Sequence, residues 1–236
     1  MPLSEKRIIL DLCGGTGAWS KPWADAGYDV RNITLPKYDV LTGYIVWRGE
    51  EKIDYLWFAE KIKKNYMPYE VFIPIKDIYG LLAAPPCQMF SFARTKAKAP
   101  RDLELGMKLV EKCLNIIWQL QSRLKSSQQK YPPLKFWALE NPYYGMLRWF
   151  LGKPAFVFDP WEFGDPYQKK TALWGHFNEP VKMKNPPMPR PSWSSKKFDR
   201  LKSNEIHPEF FGKYNRQVRR AITPAGFAKA FYEANK

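Results

Sequence analysis

The sequence is poor in cysteine and histidine and has no long apolar run. Its 236 residues include three cysteines and two histidines, which show no metal-ligand spacing. Such an odd, sparse set of cysteines is not a disulfide framework, and we expect no bound metal. No apolar stretch approaches the roughly 20 residues that span a bilayer, and the first residues lack the apolar region of a signal peptide. We therefore expect a cytoplasmic protein that does not bind membranes, and we take it to be a monomer.

Acidic residues are scarce relative to basic ones. The chain has 38 Lys and Arg against 23 Asp and Glu, which gives a formal charge of +15 and a pI near 9.6. A basic excess of this size indicates a polyanionic partner, and nucleic acid is the usual one. The hydrophobic share of 45% is sufficient for the core of one domain with at most a small appendage.

A strand, a glycine-rich turn, a helix and a second strand are predicted at the start of the chain. Residues 7–12 form a short apolar run typical of a buried parallel strand, and Cys13-Gly14-Gly15-Thr16-Gly17 follows directly. Ser20 predicts the N-cap of a short helix, and residues 28–35 predict the second strand. Glycines at such a turn let the backbone approach a ligand closely, and the acid Asp11 immediately precedes this turn.

Another strand, followed by a turn, is predicted over residues 79–88. Residues 79–84 form an apolar run that predicts a buried strand, and Pro85-Pro86-Cys87-Gln88 follows it. Proline lacks an N–H and restricts the residue before it, so neither a helix nor a strand continues here. Cys87 is then held on a stiff turn beyond a strand end, where ligands bind in open α/β sheets. An inert, buried thiol is the alternative interpretation of Cys87.

Further elements are predicted in the second half. The spacing of apolar residues predicts a helix over 102–126, with Cys113 on its buried face as an inert thiol. Residues 136–140 predict a strand that ends in Glu140-Asn141-Pro142, which again places an acid at a strand end. Pro224 predicts the first turn of a C-terminal helix.

These motifs, in this order, resemble those of the cytosine-C5 methyltransferase family. Pro-Cys-Gln-x-Phe-Ser resembles the family's nucleophile motif, Glu140-Asn141 resembles Glu-Asn-Val, and residues 164–175 resemble Gly-x-Pro-Gln-x-Arg-x-Arg. Asp-Leu-Cys-Gly-Gly-Thr-Gly resembles the family's cofactor motif, Asp-Leu-Phe-x-Gly-x-Gly. The resemblance implies an α/β fold of the class I, Rossmann-like type, with helices on both faces of the sheet.

The resemblance also implies a division of the chain. Residues 1–175 and 219–236 form the catalytic domain, with residues 44–77 as a possible insertion. Residues 176–218 form a small, irregular target-recognition segment that is rich in basic and aromatic side chains. Within the insertion, residues 54–64 predict an amphipathic helix with a solvated basic face.

The implied reaction transfers a methyl group from S-adenosyl-L-methionine (SAM) to C5 of a cytosine in DNA, with the base flipped out of the duplex. Cys87 adds to C6, protonated Glu140 faces N3, Asn141 orients the base, and Lys169 or Lys170 stabilises the base or its backbone. A basic cleft is expected to lower the pKa of the thiol, and burial to raise that of the acid. The resemblance implies a bacterial or phage enzyme of the restriction-modification type.

The implied binding residues fall into two groups. The residues expected to bind the cofactor are Asp11, Leu12, Cys13, Gly14, Gly15, Thr16, Gly17, Trp19, Asp39 and Pro85. Asp39 is included because it resembles the aspartate of the family's later Gly-Asp-Ile motif, which meets the adenine. The acid usual at the end of the second strand is missing from Thr34-Leu35-Pro36. The residues expected to contact nucleic acid are Gln88, Ser91, Arg94, Lys96, Lys98, Arg101, Arg190, Lys196 and Lys197.

Three alternatives stay open from the sequence. The same chemistry can act on a cytosine of a structured RNA such as tRNA. The chain can instead be a nucleic-acid-binding protein with a degenerate SAM pocket, as the missing acid of the second strand indicates. The methyl donor can also be a modified sulfonium compound, because no residue excludes one.

Overall fold

The computed structural model describes residues 7–48, 53–60, 70–92, 99–126, 134–165, 167–186, 212–214 and 216–236. Six of the expected nucleic-acid contacts lie outside these ranges, as does most of the 176–218 segment: Arg94, Lys96, Lys98, Arg190, Lys196 and Lys197. Within the described ranges, no helix is long and apolar enough to cross a membrane. The same ranges contain no group of three or more His, Cys, Asp or Glu side chains that could hold a metal ion.

Nine strands are found in the described residues. They are β1 Ile8–Leu12, β2 Asp29–Ile33, β3 Tyr44–Arg48, β4 Ile53–Ala59, β5 Glu70–Pro74, β6 Ile78–Ala83, β7 Phe136–Pro142, β8 Phe156–Phe158 and β9 Thr171–His176. Six of them form one sheet in the order β2-β1-β6-β7-β9-β8. The first four of these strands are parallel, β9 is antiparallel to β7, and β8 is antiparallel to β9. This mostly parallel sheet is compatible with a Rossmann-like fold and confirms the predicted α/β class at that level.

Five helices are found in the described residues. They are α1 Lys21–Asp25, α2 Leu103–Ser126, α3 Leu147–Leu151, α4 Arg216–Ala221 and α5 Ala225–Asn235. Of these, α1, α2 and α5 begin close to the predicted positions, whereas α3 and α4 were not predicted. Pro22 lies in the first turn of α1, and Pro224 directly precedes α5. At the start of α2, the Asp102 carboxylate accepts the Leu105 N–H at 2.8 Å, which satisfies one of the unpaired donors of a helix N-terminus.

The large sheet separates two hydrophobic cores. Alternate residues of a strand point to opposite faces, so Ile8 and Leu10 of β1 join one core while Ile9 joins the other. The core under α2 contains buried Cys113, as the sequence predicts. The core on the opposite face is formed by aromatic residues of α1 and α5, including Trp23 and Phe231.

Within residues 44–77, the described strands form a three-stranded antiparallel sheet in the order β3-β4-β5. The predicted helix over 54–64 is wrong, because its first half is the central strand β4. Leu56 and Phe58 are buried, whereas Tyr55 and Trp57 are half-buried, which is the two-residue alternation of a strand rather than helical spacing. Leu56 and Phe58 share the core of α2, so this sheet packs on the same side of the large sheet.

The order of strands reverses beside β1. From β1 the chain passes to β2 on one side, and after the small sheet it returns to β6 on the other side of β1. In open α/β sheets, ligands bind at such a reversal, beyond the carboxyl ends of the strands. The glycine turn after β1 and the Pro-Pro-Cys turn after β6 therefore flank the expected ligand cleft.

Candidate active site

The Cys87 turn is fixed to the strands on either side of it by backbone hydrogen bonds. Directly after β6, the Ala84 N–H donates to the carbonyl of Leu12 at 2.9 Å. The carbonyl of Cys87 accepts the N–H groups of Phe90 and Ser91 at 3.0 and 2.9 Å. These bonds close a turn that ends the strand, as the two prolines predict, and they hold the half-buried thiol beyond the end of β6.

Asn141, expected to orient the base, and Arg101, expected to contact nucleic acid, both brace this turn. Asn141 is buried, and its Nδ2 donates to the carbonyl of Pro85 at 3.0 Å, which links β7 to the turn. The Arg101 guanidinium donates to the carbonyls of Met89 and Ser91, both at 2.9 Å. Both residues therefore position the Cys87 loop, whereas Gln88 is exposed within it.

Glu140 lies in β7 next to Asn141, whose side chain contacts the Cys87 turn, and the charges of Glu140 and Lys169 both act on the Cys87 thiol. Burial raises the pKa of the Glu140 carboxyl, as predicted, and the charge of Lys169 partly opposes this. Burial also raises the pKa of the Cys87 thiol, with a further increase from Glu140, while Lys169 and Arg220 act to lower it. The prediction that a basic cleft lowers the thiol pKa is therefore wrong, because desolvation outweighs the two cations.

The two lysines left open by the sequence have different surroundings. Lys169 acts on both Cys87 and Glu140. The Lys170 Nζ lies 5.2 Å from the centroid of the Tyr143 ring and 5.8 Å from that of Tyr144. Of the pair, Lys169 is thus the one that faces the thiol and the acid.

Arg220, at the end of α4, is a member of the site that the sequence did not reveal. The only sequence signal is the Arg219-Arg220 pair just before the C-terminal helix, and such pairs are common on solvated surfaces. Its proximity to Cys87 arises from tertiary packing, which brings α4 back to the β6 end after more than half the chain has passed.

Asp11 is buried beneath the glycine turn. Its Oδ2 accepts the Ser20 hydroxyl at 2.6 Å, and its Oδ1 has no hydrogen-bond partner among the described residues. Burial raises the pKa of this carboxyl from 3.8 to about 7. A Cβ at Gly14 would overlap the Asp11 carboxylate, so the turn requires glycine for this close approach.

The glycine turn is open on one side and tied to β2 on the other. Cys13, Gly15 and Gly17 have φ values of +57°, +56° and +74°, and a Cβ at Gly15 would meet nothing within 4 Å. The Asn32 Nδ2 donates to the Gly15 carbonyl at 3.2 Å, and the Gly15 N–H donates to the Thr34 hydroxyl at 3.3 Å. The Asn32 amide of β2 and the hydroxyl of Thr34, which follows β2, therefore occupy the region where an acid is expected in a SAM site.

The acceptors of this turn fit a ligand that carries hydrogen-bond donors. Asp11 Oδ1 and Asn32 Oδ1 are both buried and without a partner in the described part of the chain. Buried acceptors are normally satisfied, so a hydroxyl or an ammonium group from a ligand would complete them. SAM carries both kinds of donor, and Gly15 leaves room for it. Asn32 was missed because the sequence was searched for a charged side chain.

Three expected cofactor contacts serve the fold in this structure. Leu12 and Trp19 are buried, and the Trp19 ring lies edge-on to Phe231 with centroids 5.5 Å apart. The Asp39 Oδ1 accepts the Leu41 N–H at 3.0 Å and caps a short 3₁₀ turn. Thr16 is half-buried within the glycine turn itself.

The fold and this site define an α/β protein in which a glycine turn over a buried acid and a turn that carries a thiol follow the carboxyl ends of neighbouring parallel strands. No protein-family model matches the chain, and the search of curated proteins finds no match. The function therefore has to be inferred from the residues of the site.

Proposed function

We propose that the chain transfers a methyl group from SAM to C5 of a cytosine in DNA, through a covalent bond between Cys87 and C6. One observation supports the proposal: the Cys87 turn is hydrogen-bonded to Asn141, the neighbour of Glu140 in β7, and the Cys87 thiol interacts with the charges of Glu140 and Lys169. A glycine turn over a buried acid follows the adjacent strand β1. This is the combination of groups that the motif resemblance implies for a cytosine-C5 methyltransferase.

The thiol supplies the nucleophile. Cytosine C5 is a poor nucleophile, and addition of the Cys87 thiolate to C6 gives C5 the electron density of an enamine. C5 would then take the methyl group from the sulfonium sulfur, and S-adenosyl-L-homocysteine would leave as a neutral thioether. Release of the C5 proton to solvent and elimination of the thiolate restore the C5–C6 double bond and the free enzyme.

Glu140 and two cations, Lys169 and Arg220, stabilise the charges that change during this addition. As the S–C6 bond forms, Glu140 donates its proton to N3, which prevents negative charge from building on the ring. N3 returns the proton when the thiolate leaves. The raised pKa of Glu140 supports this role, because the carboxyl stays protonated at a higher pH than an exposed one. Lys169 and Arg220 favour the thiolate over the thiol.

The glycine turn is the proposed cofactor site. Asp11 and Asn32 would accept hydrogen bonds from the donors of SAM, and Gly15 would lie against it. When bound, SAM supplies an electrophilic methyl group on a sulfonium centre. Asn32 replaces the strand-end acid of other class I enzymes, which keeps an acceptor there without a charge.

A methyl-transfer assay tests the proposal. Tritiated SAM is incubated with duplex DNA or with total tRNA, and the products are digested to identify labelled 5-methylcytosine. We expect label in DNA for the wild type and none for Cys87→Ser. Lys169→Met should lower the rate at least 10-fold, while Lys135→Met, at an exposed lysine directly before β7, keeps it within about 3-fold.

The other outcomes separate the alternatives. Label confined to tRNA contradicts the DNA proposal and favours the RNA substrate. An absence of label with both substrates, together with an absence of SAM binding by calorimetry, contradicts the enzyme and leaves a nucleic-acid-binding protein.

A further inference from the structure

Exposed aromatic side chains cluster beside the Cys87 loop. Phe92 is 39% exposed, and Tyr144, Trp149 and Phe150 are 59%, 64% and 50% exposed. Single exposed apolar residues are ordinary, but a contiguous patch of large rings marks a site of interaction. None of these residues belongs to the site described above.

The cluster is one surface because the segments that carry it are joined. The rings of Phe92 and Trp149 lie 5.7 Å apart between centroids, and the Phe92 N–H donates to the Tyr144 carbonyl at 3.3 Å. Ser91 and Gly145 form an antiparallel bridge. These contacts join Ser91 and Phe92, which follow Cys87 closely in the sequence, to the segment that follows β7.

Two cations lie over the rings of this surface. The Lys170 Nζ lies over Tyr143 and Tyr144, and the Arg148 Cζ lies 5.3 Å from the Tyr143 centroid. Rings alone would suit many protein partners, but rings with cations, on a chain of charge +15, complement a strand of bases and phosphates.

We infer that this aromatic surface binds unpaired nucleotides next to the target cytosine, by stacking their bases on its rings. The surface consists of Phe92, Tyr143, Tyr144, Arg148, Trp149, Phe150 and Lys170. The inference rests on the proposed function for the choice of nucleic acid as partner, and it adds that the strand is unpaired where it enters the site. Bases in an intact duplex have no free face to stack on these rings.

Binding of a fluorescein-labelled single-stranded oligodeoxynucleotide, followed by anisotropy with the full chain and no cofactor, tests this inference. We expect the double variant Tyr144→Ala/Trp149→Ala to bind about 10- to 100-fold more weakly than the wild type. Trp118→Ala is the matched control, because Trp118 is equally exposed, at 66%, on α2. Trp149→Phe keeps a ring and should stay within about 3-fold.

The salt dependence separates stacking from charge. Stacking releases no counterions, so the slope of log K against log salt should be the same for the wild type and the double variant. The affinity for the matching duplex should fall less than the affinity for the single strand. An equal loss for both forms of DNA, or an equal loss in Trp118→Ala, contradicts stacking at this surface.

The remaining outcomes are equally decisive. If wild-type protein dimerises in sedimentation and Trp149→Ala abolishes the dimer while DNA binding is unchanged, the surface binds a second copy and the inference is overturned. Aromatic variants that bind DNA like the wild type overturn it while methyl transfer still stands. If these variants bind DNA more weakly but the wild-type protein transfers no methyl group, the result supports nucleotide binding at the aromatic surface and contradicts the proposed methyltransferase activity.

Discussion

The thiol and the carboxyl of the site are linked through their charges. The Glu140 carboxylate raises the pKa of Cys87, and Lys169 acts to lower the pKa of both groups. Burial disfavours a second negative charge, so ionisation of the carboxyl opposes ionisation of the thiol. The proposed chemistry therefore needs the Glu140 carboxyl protonated when the Cys87 thiolate forms.

The reactivity of Cys87 should therefore follow these neighbours. We expect Lys169→Met to shift the pH midpoint of Cys87 alkylation upward and Glu140→Gln to shift it downward. The measurement is the rate of iodoacetamide labelling at Cys87 against pH, read by mass spectrometry of the Cys87 peptide.

Lys170→Met provides the control for this titration, because Lys170 lies over Tyr143 and Tyr144. Its midpoint should equal that of the wild type. An unshifted midpoint in both Lys169→Met and Glu140→Gln would show that the three groups do not meet as described.

Among the strands and helices, those were predicted best whose sequence signal comes from residues that are adjacent along the chain. Pro85 and Pro86 end β6 whatever surrounds them, and the helical spacing of α2 extends over six turns. β4 was mistaken for a helix because its burial alternation is set by packing against α2 and the neighbouring strands. β9 was not predicted because its sequence, which includes Gly175, has no clear alternation of apolar and polar residues. Its pairing with β7 depends on tertiary structure.

Gly175 of β9 has a strict requirement for glycine. Its φ is +155°, and a Cβ there would overlap the backbone carbonyl of Trp137. We expect Gly175→Ala to lower the free energy of unfolding by about 3 kcal/mol or more, because the obstacle is backbone and cannot move aside. Urea denaturation followed by tryptophan fluorescence measures this loss.

Gly152→Ala is the comparison for this prediction. Gly152 also has a positive φ, +75°, but a Cβ there would meet nothing within 4 Å. Its loss should be about 1–2 kcal/mol, from backbone conformation alone. Equal losses at both positions would contradict the close approach of β9 to β7.

For the whole molecule, two buried acids make stability fall as the pH rises. The pKa of Asp11 is raised from 3.8 to about 7 and that of Asp165 to about 6, in both cases by burial. Because these pKa values lie above the unfolded ones, the folded state is favoured where both acids are protonated. That contribution is lost as the pH rises from about 4 through 7.

Asp11→Asn isolates this effect. Relative to the variant, the wild type should lose on the order of 4 kcal/mol of unfolding free energy between pH 4 and pH 8, since the full rise in pKa acts over that interval. Urea denaturation of both proteins across this range measures the difference. A constant difference would mean that Asp11 is solvated.

The residues of the site that were not predicted from the sequence were missed for one common reason. Asn32, Arg220 and the aromatic surface acquire their roles from neighbours that are distant along the chain. The order of the motifs predicted Cys87 and Glu140. Both lie near the carboxyl end of a strand, and the carboxyl ends of neighbouring parallel strands meet at one edge of the sheet.

The packing of α5 has a consequence for synthesis on the ribosome. The Phe231 ring contacts Trp19 and Trp23, which follow the glycine turn, so the packing behind this turn depends on a helix that is translated much later than the turn itself. A nascent chain that has not yet released α5 from the exit tunnel leaves both tryptophans without this partner. The packing behind the glycine turn is thus completed only after α5 has been translated, and a chain terminated before α5 lacks it.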